Sequence, residues 1–295
     1  MTLVVARVTP DIGFLVADTL LSSEFELKDR KGPVNGKYHA LKVQILDPNT
    51  AIAYAGDVKT SFELIKNLHV ELSAAPSMRV CERLFESYTQ TVKNTTDRSL
   101  PDCEFLVLQL TQEERKLAHV TKDGVSYCER AYIGDPVEYK SMTELRRPYY
   151  PPKMQSVQQP DGTFRAMPLV TSDGEIEFAE VSNAMERLTH LRQSKSVGAI
   201  CGCVTRVVDA RISGELEYLQ LAEVSVSPAE GHSGFSVLAS NSRIRGTAIY
   251  YLSGGMGFLF IVGDSEPCRK EYSDTLNQFV EVARAKYGLN LTGGT

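Results

Sequence analysis

The chain has no tryptophan, and none of its apolar runs approaches the roughly 18 residues that a membrane-spanning helix requires. We therefore expect no membrane partner. Its 32 Lys and Arg residues are outnumbered by 37 Asp and Glu residues, and the net charge of −5 leaves no general basic surface for nucleic acid. We therefore expect no nucleic-acid partner either.

Paired CxxC motifs are also missing from the six cysteines. Cys201 and Cys203 lie two residues apart on a predicted strand and share one face, which is poor geometry for a metal without further ligands. We predict no metal site and no cofactor. The cysteines are interpreted as reduced core residues of a cytoplasmic protein, and we expect no secretory leader before the first predicted strand.

What the chain does contain is typical of a globular protein. Of its 295 residues, 42% are hydrophobic and 23% are charged, which is enough apolar material for a substantial core. We find no repeats and no low-complexity segments. We predict a single domain over residues 1–295.

Four short strands are predicted near the start. Thr2–Ala6 and Phe14–Ala17 are apolar runs joined by the turn-forming Thr9–Gly13, which indicates a hairpin. Lys42–Leu46 and Ala51–Ala55 form a second pair around a Pro-containing turn. Helix-spaced apolar residues and turn residues then predict further elements, namely a helix beginning at Asp57 or Thr60, a helix beginning near Pro76 and Ser77, strands over 104–110, 116–120 and 125–128, and a helix over 177–193.

Thr2 is the residue best suited to act as a catalytic nucleophile. If Met1 is removed, Thr2 carries a hydroxyl and a free α-amine on the same residue. An α-amine has a pKa of about 7.7–8.0, so part of it is neutral near physiological pH. Such an amine can act as the base that activates the hydroxyl as a nucleophile.

The order of Thr2, Asp18, Lys42 and Gly56 resembles the N-terminal part of proteasome β subunits and their bacterial homologues, which are N-terminal-nucleophile (Ntn) hydrolases. In that family a Thr opens the first strand and an Asp ends the second. A Lys begins the third strand and a Gly ends the fourth, before a helix. The resemblance covers roughly the first 70 residues, and the segment between Asp18 and Lys42 is longer than the family pattern.

The resemblance implies a fold and a mechanism. The fold is an α+β, four-layer αββα sandwich, in which two antiparallel sheets lie between helix layers. Lys42 would lower the pKa of the Thr2 amine, and Asp18 would compensate the Lys42 charge. The backbone N–H of Gly56 would stabilise a developing oxyanion.

Two positions depart from the family pattern. In Ala131–Asp135, Asp135 replaces the serine that follows a glycine near the nucleophile. Around Ser194–Ser196 the family carries an aspartate that is absent here, although Gly198 fits the pattern. The second departure favours altered or lost chemistry.

Two regions add residues beyond those that a four-layer sandwich needs. Residues 148–172 contain five prolines and are interpreted as an insertion with a hairpin tip at Asp161–Gly162. Residues of about 231–295 are interpreted as an extension, with a strand pair around Ser253–Gly257 and a last helix. Ser265 is the predicted start of that helix and Gly288 its stop.

The favoured function is a threonine peptidase that hydrolyses peptide bonds in peptides or unfolded polypeptides. The resemblance also implies a homo-oligomeric ring with enclosed active sites, and it leaves an unfoldase partner undefined. Three alternatives remain: a small-molecule Ntn amidase, a catalytically impaired structural subunit that retains Met1, and an unrelated α+β binding protein in which Thr2, Asp18 and Lys42 do not converge.

Overall fold

The computed structural model describes most of the chain, with gaps between the described stretches. These stretches are residues 2–18, 40–75, 79–95, 102–110, 115–151, 153–158, 164–168, 171–194, 204–208, 216–218, 222–227, 231–240, 246–251, 255–266 and 268–291.

The elements of the first half are, in chain order, β1 (Leu3–Val8), β2 (Gly13–Asp18), β3 (Val43–Asp47), β4 (Thr50–Gly56), α1 (Val58–Ala74), α2 (Val80–Asn94), β5 (Cys103–Leu110), β6 (Arg115–Thr121), β7 (Gly124–Cys128), β8 (Arg130–Gly134) and α3 (Pro136–Leu145). Those of the second half are β9 (Met154–Gln158), β10 (Phe164–Pro168), α4 (Asp173–Ser194), β11 (Val204–Val208), β12 (Glu217–Tyr218), β13 (Ala222–Ser227), β14 (Gly231–Ser240), β15 (Gly246–Tyr251), β16 (Met256–Ile261), β17 (Arg269–Tyr272) and α5 (Leu276–Tyr287).

Three five-stranded antiparallel sheets organise these strands. The first sheet has the order β12-β11-β2-β1-β8, the second β3-β4-β5-β6-β7, and the third β13-β14-β15-β16-β17. Strands β9 and β10 form a separate two-stranded ribbon. The mixed α+β class with antiparallel sheets is therefore confirmed.

Local side-chain chemistry explains where the first elements turn. The β1–β2 turn closes because Thr9 Oγ1 accepts the Ile12 N–H at 3.0 Å and donates to Asp11 at 2.6 Å. Helix α1 begins after Asp57, whose carboxylate accepts the Thr60 N–H at 2.7 Å. Of the two predicted starting points for this helix, the cap is therefore Asp57.

One apolar cluster joins the three sheets, because a face of each contributes buried side chains to it. Its members from the first, second and third sheets in turn include Val4, Ala6, Leu15, Ala53, Leu106, Leu108, Ile249 and Phe258. The opposite face of the second sheet packs against α1 and α2, and that of the first sheet packs against α3 and α4. The opposite face of the third sheet is covered by α5.

The prediction for the last helix was wrong at its start. Helix α5 begins after Thr275, whose hydroxyl accepts the Gln278 N–H, and not at Ser265. The Ser265 N–H is instead bound by Asp264 in a turn, after which the chain forms β17. The stop at Gly288 is confirmed, since this residue ends α5 with a φ of 68°.

The region predicted as a C-terminal strand pair contains more strands than expected. The predicted pair is confirmed as β15 and β16, but these belong to a five-stranded sheet. Further strands of this region are Glu217–Tyr218, which adds β12 to the first sheet, and Ala222–Ser227, which adds β13 to the third.

The predicted insertion contains the β9–β10 ribbon, and its expected tip at Asp161–Gly162 lies outside the described residues. The expected start of the second helix at Pro76 and Ser77 lies outside them as well. Helix α3 had not been predicted, although Asp135 followed by Pro136 is a helix-start signal.

Candidate active site

A buried ion pair joins the end of β2 to the residue that precedes β3. Lys42 Nζ lies 2.8 Å from both carboxylate oxygens of Asp18, although 24 residues separate the two in sequence. The Lys42 side chain is fully buried, and that of Asp18 is 15% exposed. Because a buried ammonium without a counter-charge is strongly unfavourable, Asp18 is the group that allows Lys42 to lie there charged.

The same carboxylate contacts the backbone at the start of the chain. Asp18 Oδ1 accepts a hydrogen bond from the Leu3 N–H at 2.9 Å. Asp18 therefore connects the residue that follows Thr2 to the Lys42 ammonium. This contact brings together three sequence-predicted elements of the site: the start of β1, the end of β2 and the start of β3.

Thr2 is held on its other side by the last residue of β8 and the residue that follows it. Its carbonyl oxygen accepts the Asp135 N–H at 2.8 Å. Gly134 packs so closely here that a Cβ would lie 2.0 Å from the Thr2 oxygen, and its φ of +98° suits only glycine. Strand alternation places the Thr2 side chain in line with Val4 and Ala6, which face the second sheet.

Burial controls the electrostatics of Lys42. Desolvation lowers the pKa of the Lys42 ammonium from its ordinary value, and the negative charge of Asp18 opposes part of that effect. Tyr54 lies opposite Lys42, with its N–H donating to the Lys42 carbonyl at 3.1 Å. Burial, followed by the Asp18 charge, raises the pKa of Tyr54 well above its ordinary value, which keeps the phenol neutral.

Gly56 ends β4 at the N-terminus of α1, as predicted, and it is exposed. Its φ is +93°, and a Cβ would lie 1.8 Å from the Asp102 carbonyl oxygen, so only glycine fits. The next residue, Asp57, donates its N–H to that same carbonyl at 3.0 Å. Because successive residues of a strand direct their N–H groups to opposite sides, the Gly56 N–H points away from β5, toward the side of Lys42.

Asp135, predicted to replace a serine near the nucleophile, adjoins Thr2 through its backbone N–H. Its carboxylate caps α3 by accepting the N–H groups of Val137 and Glu138 at 2.7 and 3.3 Å. The other departure falls partly outside the described residues: α4 ends at Ser194, and residues 195–203 are not described.

Sequence reasoning missed two residues of this site, Tyr54 and the backbone role of Gly134. A signal for each was present, since Tyr54 precedes Gly56 by two residues and Gly134 directly precedes the capping Asp135. The structure therefore brings Asp18, Lys42 and the backbone of Thr2–Leu3 together, with Gly56 at the end of the strand that pairs with β3.

Metal-binding, membrane-spanning and thiol sites are the other classes that the described residues can be checked for. Within the described stretches, no three His, Cys, Asp or Glu residues cluster as metal ligands would. No helix in the same stretches is long and apolar enough to cross a membrane. Cys81, Cys103 and Cys268 are buried, as predicted for core residues, and Cys128 is only partly buried. Cys201 and Cys203 lie outside the described residues.

Comparisons with known proteins add little to this geometry. No protein-family model matches the chain, and no curated protein matches it. Among solved structures the chain is similar to eukaryotic HslV from Trypanosoma brucei, with 14% identity and a TM-score of 0.41 over 70% of this chain and 98% of that one. This degree of similarity establishes neither a family nor an activity for the chain.

Proposed function

We propose that the chain is an Ntn hydrolase that cleaves amide bonds with Thr2, after Met1 has been removed. One observation carries the proposal: Asp18 binds the backbone N–H of Leu3 and the ammonium of fully buried Lys42 at the same time. A buried ion pair has little net value for stability, so its placement beside the first residues of the chain favours a chemical role.

The packing of the sheets supports the corresponding fold. The first and second sheets share one apolar cluster, while α3 and α4 cover the first and α1 and α2 cover the second. This contact pattern supports the proposal of a four-layer αββα sandwich. The third sheet and α5 add to such a sandwich and do not replace any of its layers.

The proposed mechanism assigns one task to each group. The Thr2 hydroxyl attacks the amide carbonyl and gives its proton to the Thr2 amine, which passes it to the leaving amine. Lys42 lowers the pKa of the Thr2 amine, and Asp18 holds Lys42 in place. The Gly56 N–H stabilises the tetrahedral oxyanion, and water then hydrolyses the ester formed on Thr2.

The proposed substrates are peptides or unfolded polypeptides, and the proposed assembly is a homo-oligomeric ring with enclosed sites in the cytoplasm. These finer assignments rest on the sequence resemblance to proteasome β subunits. Native mass spectrometry of the purified chain tests the assembly, because a ring gives one high-order closed species and a monomer contradicts it.

Intact-mass measurement followed by a turnover assay tests the catalytic proposal. We expect wild-type protein to lack Met1 and to release fluorophore from peptidyl amides. Thr2→Ser retains part of this turnover, whereas Thr2→Ala abolishes it without loss of folding. Turnover by Thr2→Ala at the wild-type rate would contradict the role of Thr2.

A catalytically impaired structural subunit is the second candidate, and the position of Asp135 favours it. The residue beside Thr2 that corresponds to the family's serine carries no hydroxyl, and its carboxylate is already engaged as the cap of α3. This candidate predicts that Met1 is retained and that no peptide or simple amide is turned over.

A further inference from the structure

Among the described strands, β3, which Lys42 precedes, lies at the edge of the second sheet. Its inner side pairs with β4, so Val43 and Ile45 direct their backbone groups to the unpaired side. Both residues are fully buried, and a buried backbone group without a partner is costly. The edge therefore needs hydrogen-bonding partners other than a strand.

The side chain of Tyr218 supplies hydrogen bonds to two of these backbone groups. Its Oη accepts the Ile45 N–H at 2.9 Å and donates to the Val43 carbonyl at 3.3 Å. One hydroxyl therefore replaces a neighbouring strand over this part of the edge. Tyr218 is only 3% exposed, so water does not compete for these bonds.

Tyr218 belongs to the other sheet of the site. It lies on β12, which pairs with β11, and β11 pairs with β2 in a register that sets Val204 opposite Asp18. A second link, from the Leu216 N–H to the Pro48 carbonyl at 2.7 Å, ties the same segment to the turn that follows β3. The sheet that carries Asp18 is thus bonded to the strand that follows Lys42.

We propose that Tyr218 is a positioning residue that holds Lys42 against Asp18 by fixing the free edge of β3. The start of β3 is held from both sides. The Tyr54 N–H donates to the Lys42 carbonyl, and the Tyr218 hydroxyl donates to the carbonyl of the next residue, Val43. The catalytic part of this inference rests on the proposed function; the structural part does not.

Removing the hydroxyl alone leaves two buried backbone groups without these bonds, and β3 can recover them only by moving toward water. Lys42 moves with Val43, so its bonds to Asp18 lengthen and water reaches the ammonium. A displacement of about 1 Å in a catalytic group can reduce turnover about 100-fold. A displaced Lys42 also has a weaker effect on the Thr2 amine, whose pKa is then higher than in the wild-type protein.

The test compares Tyr218→Phe with the control Tyr250→Phe. Tyr250 is an equally buried tyrosine whose Oη donates to the Ser273 carbonyl at 2.7 Å, in the third sheet. We expect Tyr218→Phe to reduce kcat roughly 10- to 100-fold with little change in KM. The acid limb of its pH–rate profile moves to higher pH, whereas Tyr250→Phe keeps the wild-type profile even if it loses as much stability.

Two measurements that need no activity separate the inference from the proposed function. We expect hydrogen exchange at the Ile45 amide to accelerate in Tyr218→Phe, and the NMR titration of the Lys42 side chain, assigned with Lys42→Arg, to move to higher pH. Wild-type exchange and titration in Tyr218→Phe would overturn the inference. If both change while wild-type protein turns over no amide, the positioning stands and the proposed function fails.

Discussion

At the residue scale, the Asp18 carboxylate contacts partners of different kinds. Its bonds to Lys42 Nζ satisfy a charge, and its bond to the Leu3 N–H fixes the backbone. Asp18 is partly exposed whereas Lys42 is not. Removing the Asp18 charge and removing the Lys42 charge should therefore have different effects on stability. The pair therefore permits a test in which charge and hydrogen bonding are separated.

We predict that Asp18→Asn destabilises the protein by about 3–5 kcal/mol, because Lys42 loses its counter-charge while the amide oxygen still accepts the Leu3 N–H. Lys42→Met should cost less, since water reaches the remaining carboxylate. The double variant Asp18→Asn/Lys42→Met should be more stable than Asp18→Asn alone. Urea unfolding measures all three, and strict additivity of the two single effects would contradict coupling of the pair.

Gly134 offers a second test at this scale. In Gly134→Ala the new Cβ meets the Thr2 carbonyl oxygen. We therefore predict that the free energy of unfolding falls by about 1–3 kcal/mol. We also predict that Thr2 is displaced and that most of the turnover is lost. Gly124→Ala is the control, because its φ of +150° is also positive but nothing lies within 4 Å of the added Cβ. Equal effects of the two substitutions on thermal unfolding and turnover would remove the steric explanation.

At the element scale, the start of α1 connects helix capping to the site. Asp57 caps α1 directly after Gly56, and its N–H is bound to Asp102. The direction of the Gly56 N–H therefore depends on where the helix begins. A cap that fails lets the first turn of α1 fray and releases this amide.

We predict that Asp57→Ala lowers stability by about 1 kcal/mol and also reduces turnover, whereas Asp57→Asn keeps the cap and most of both. Thr275→Ala, which removes the cap of α5, is the control: it should cost similar stability and leave turnover unchanged. Chemical denaturation and steady-state kinetics of the three variants check this. If turnover in Asp57→Ala matched that in Thr275→Ala, the link from α1 to the oxyanion site would be lost.

Element positions were predictable where apolar alternation is strong and turn residues are plain. Strands β1 to β7 match their predicted runs to within two residues. The long strand β14 was missed because its Gly and Ser residues have low strand preference, and only pairing with β13 and β15 makes it a strand. Helix α3 was missed because, of its ten residues, only Met142 is buried.

The site was less predictable from pattern alone than the strands were. Nothing in local spacing indicates that Asp18 and Lys42 meet, because the contact depends on how two sheets are stacked. The resemblance to an ordered set of family positions supplied that expectation. The role of Tyr218 had no sequence signal, since it depends on one side chain that crosses from one sheet to the edge of another.

At the scale of the whole molecule, the third sheet completes the core. Met256, Phe258 and Cys268 pack into the same cluster as the inner faces of the first two sheets. Val262, which follows β16, packs with α1 and α2. The described strands β15 and β16 thus pack against the two sheets that carry the site.

The reactivity of buried thiols reports on how tightly the protein core is packed. Burial raises the pKa of Cys81 to about 12 and that of Cys103 to about 11, from an ordinary value of 9.0. We predict that in a Cys201→Ser/Cys203→Ser background both thiols react with a disulfide reagent at pH 8 only as fast as the protein unfolds. Rapid labelling of either thiol in folded protein, detected by mass spectrometry, would show that this core is open.

The raised pKa values of Cys81 and Cys103 also predict a loss of stability at high pH. A thiol with a raised pKa ionises more readily in the unfolded chain, so its stabilising effect is full below about pH 9 and is lost as pH rises toward 11 to 12. We predict that the free energy of unfolding falls over this interval, and less so in Cys81→Ala/Cys103→Ala. A free energy of unfolding that is flat from pH 8 to 11 would contradict this linkage.

The most direct test of the central claim is covalent trapping of Thr2 with a peptide epoxyketone, which reacts with a hydroxyl and a free amine on the same residue. After intact-mass measurement has established that Met1 is absent, we predict one adduct per chain, mapped to Thr2, absent in Thr2→Ala and much slower in Lys42→Met. Folded protein with a free Thr2 amine that forms no adduct, or Lys42→Met that is labelled at the wild-type rate, would contradict the claim.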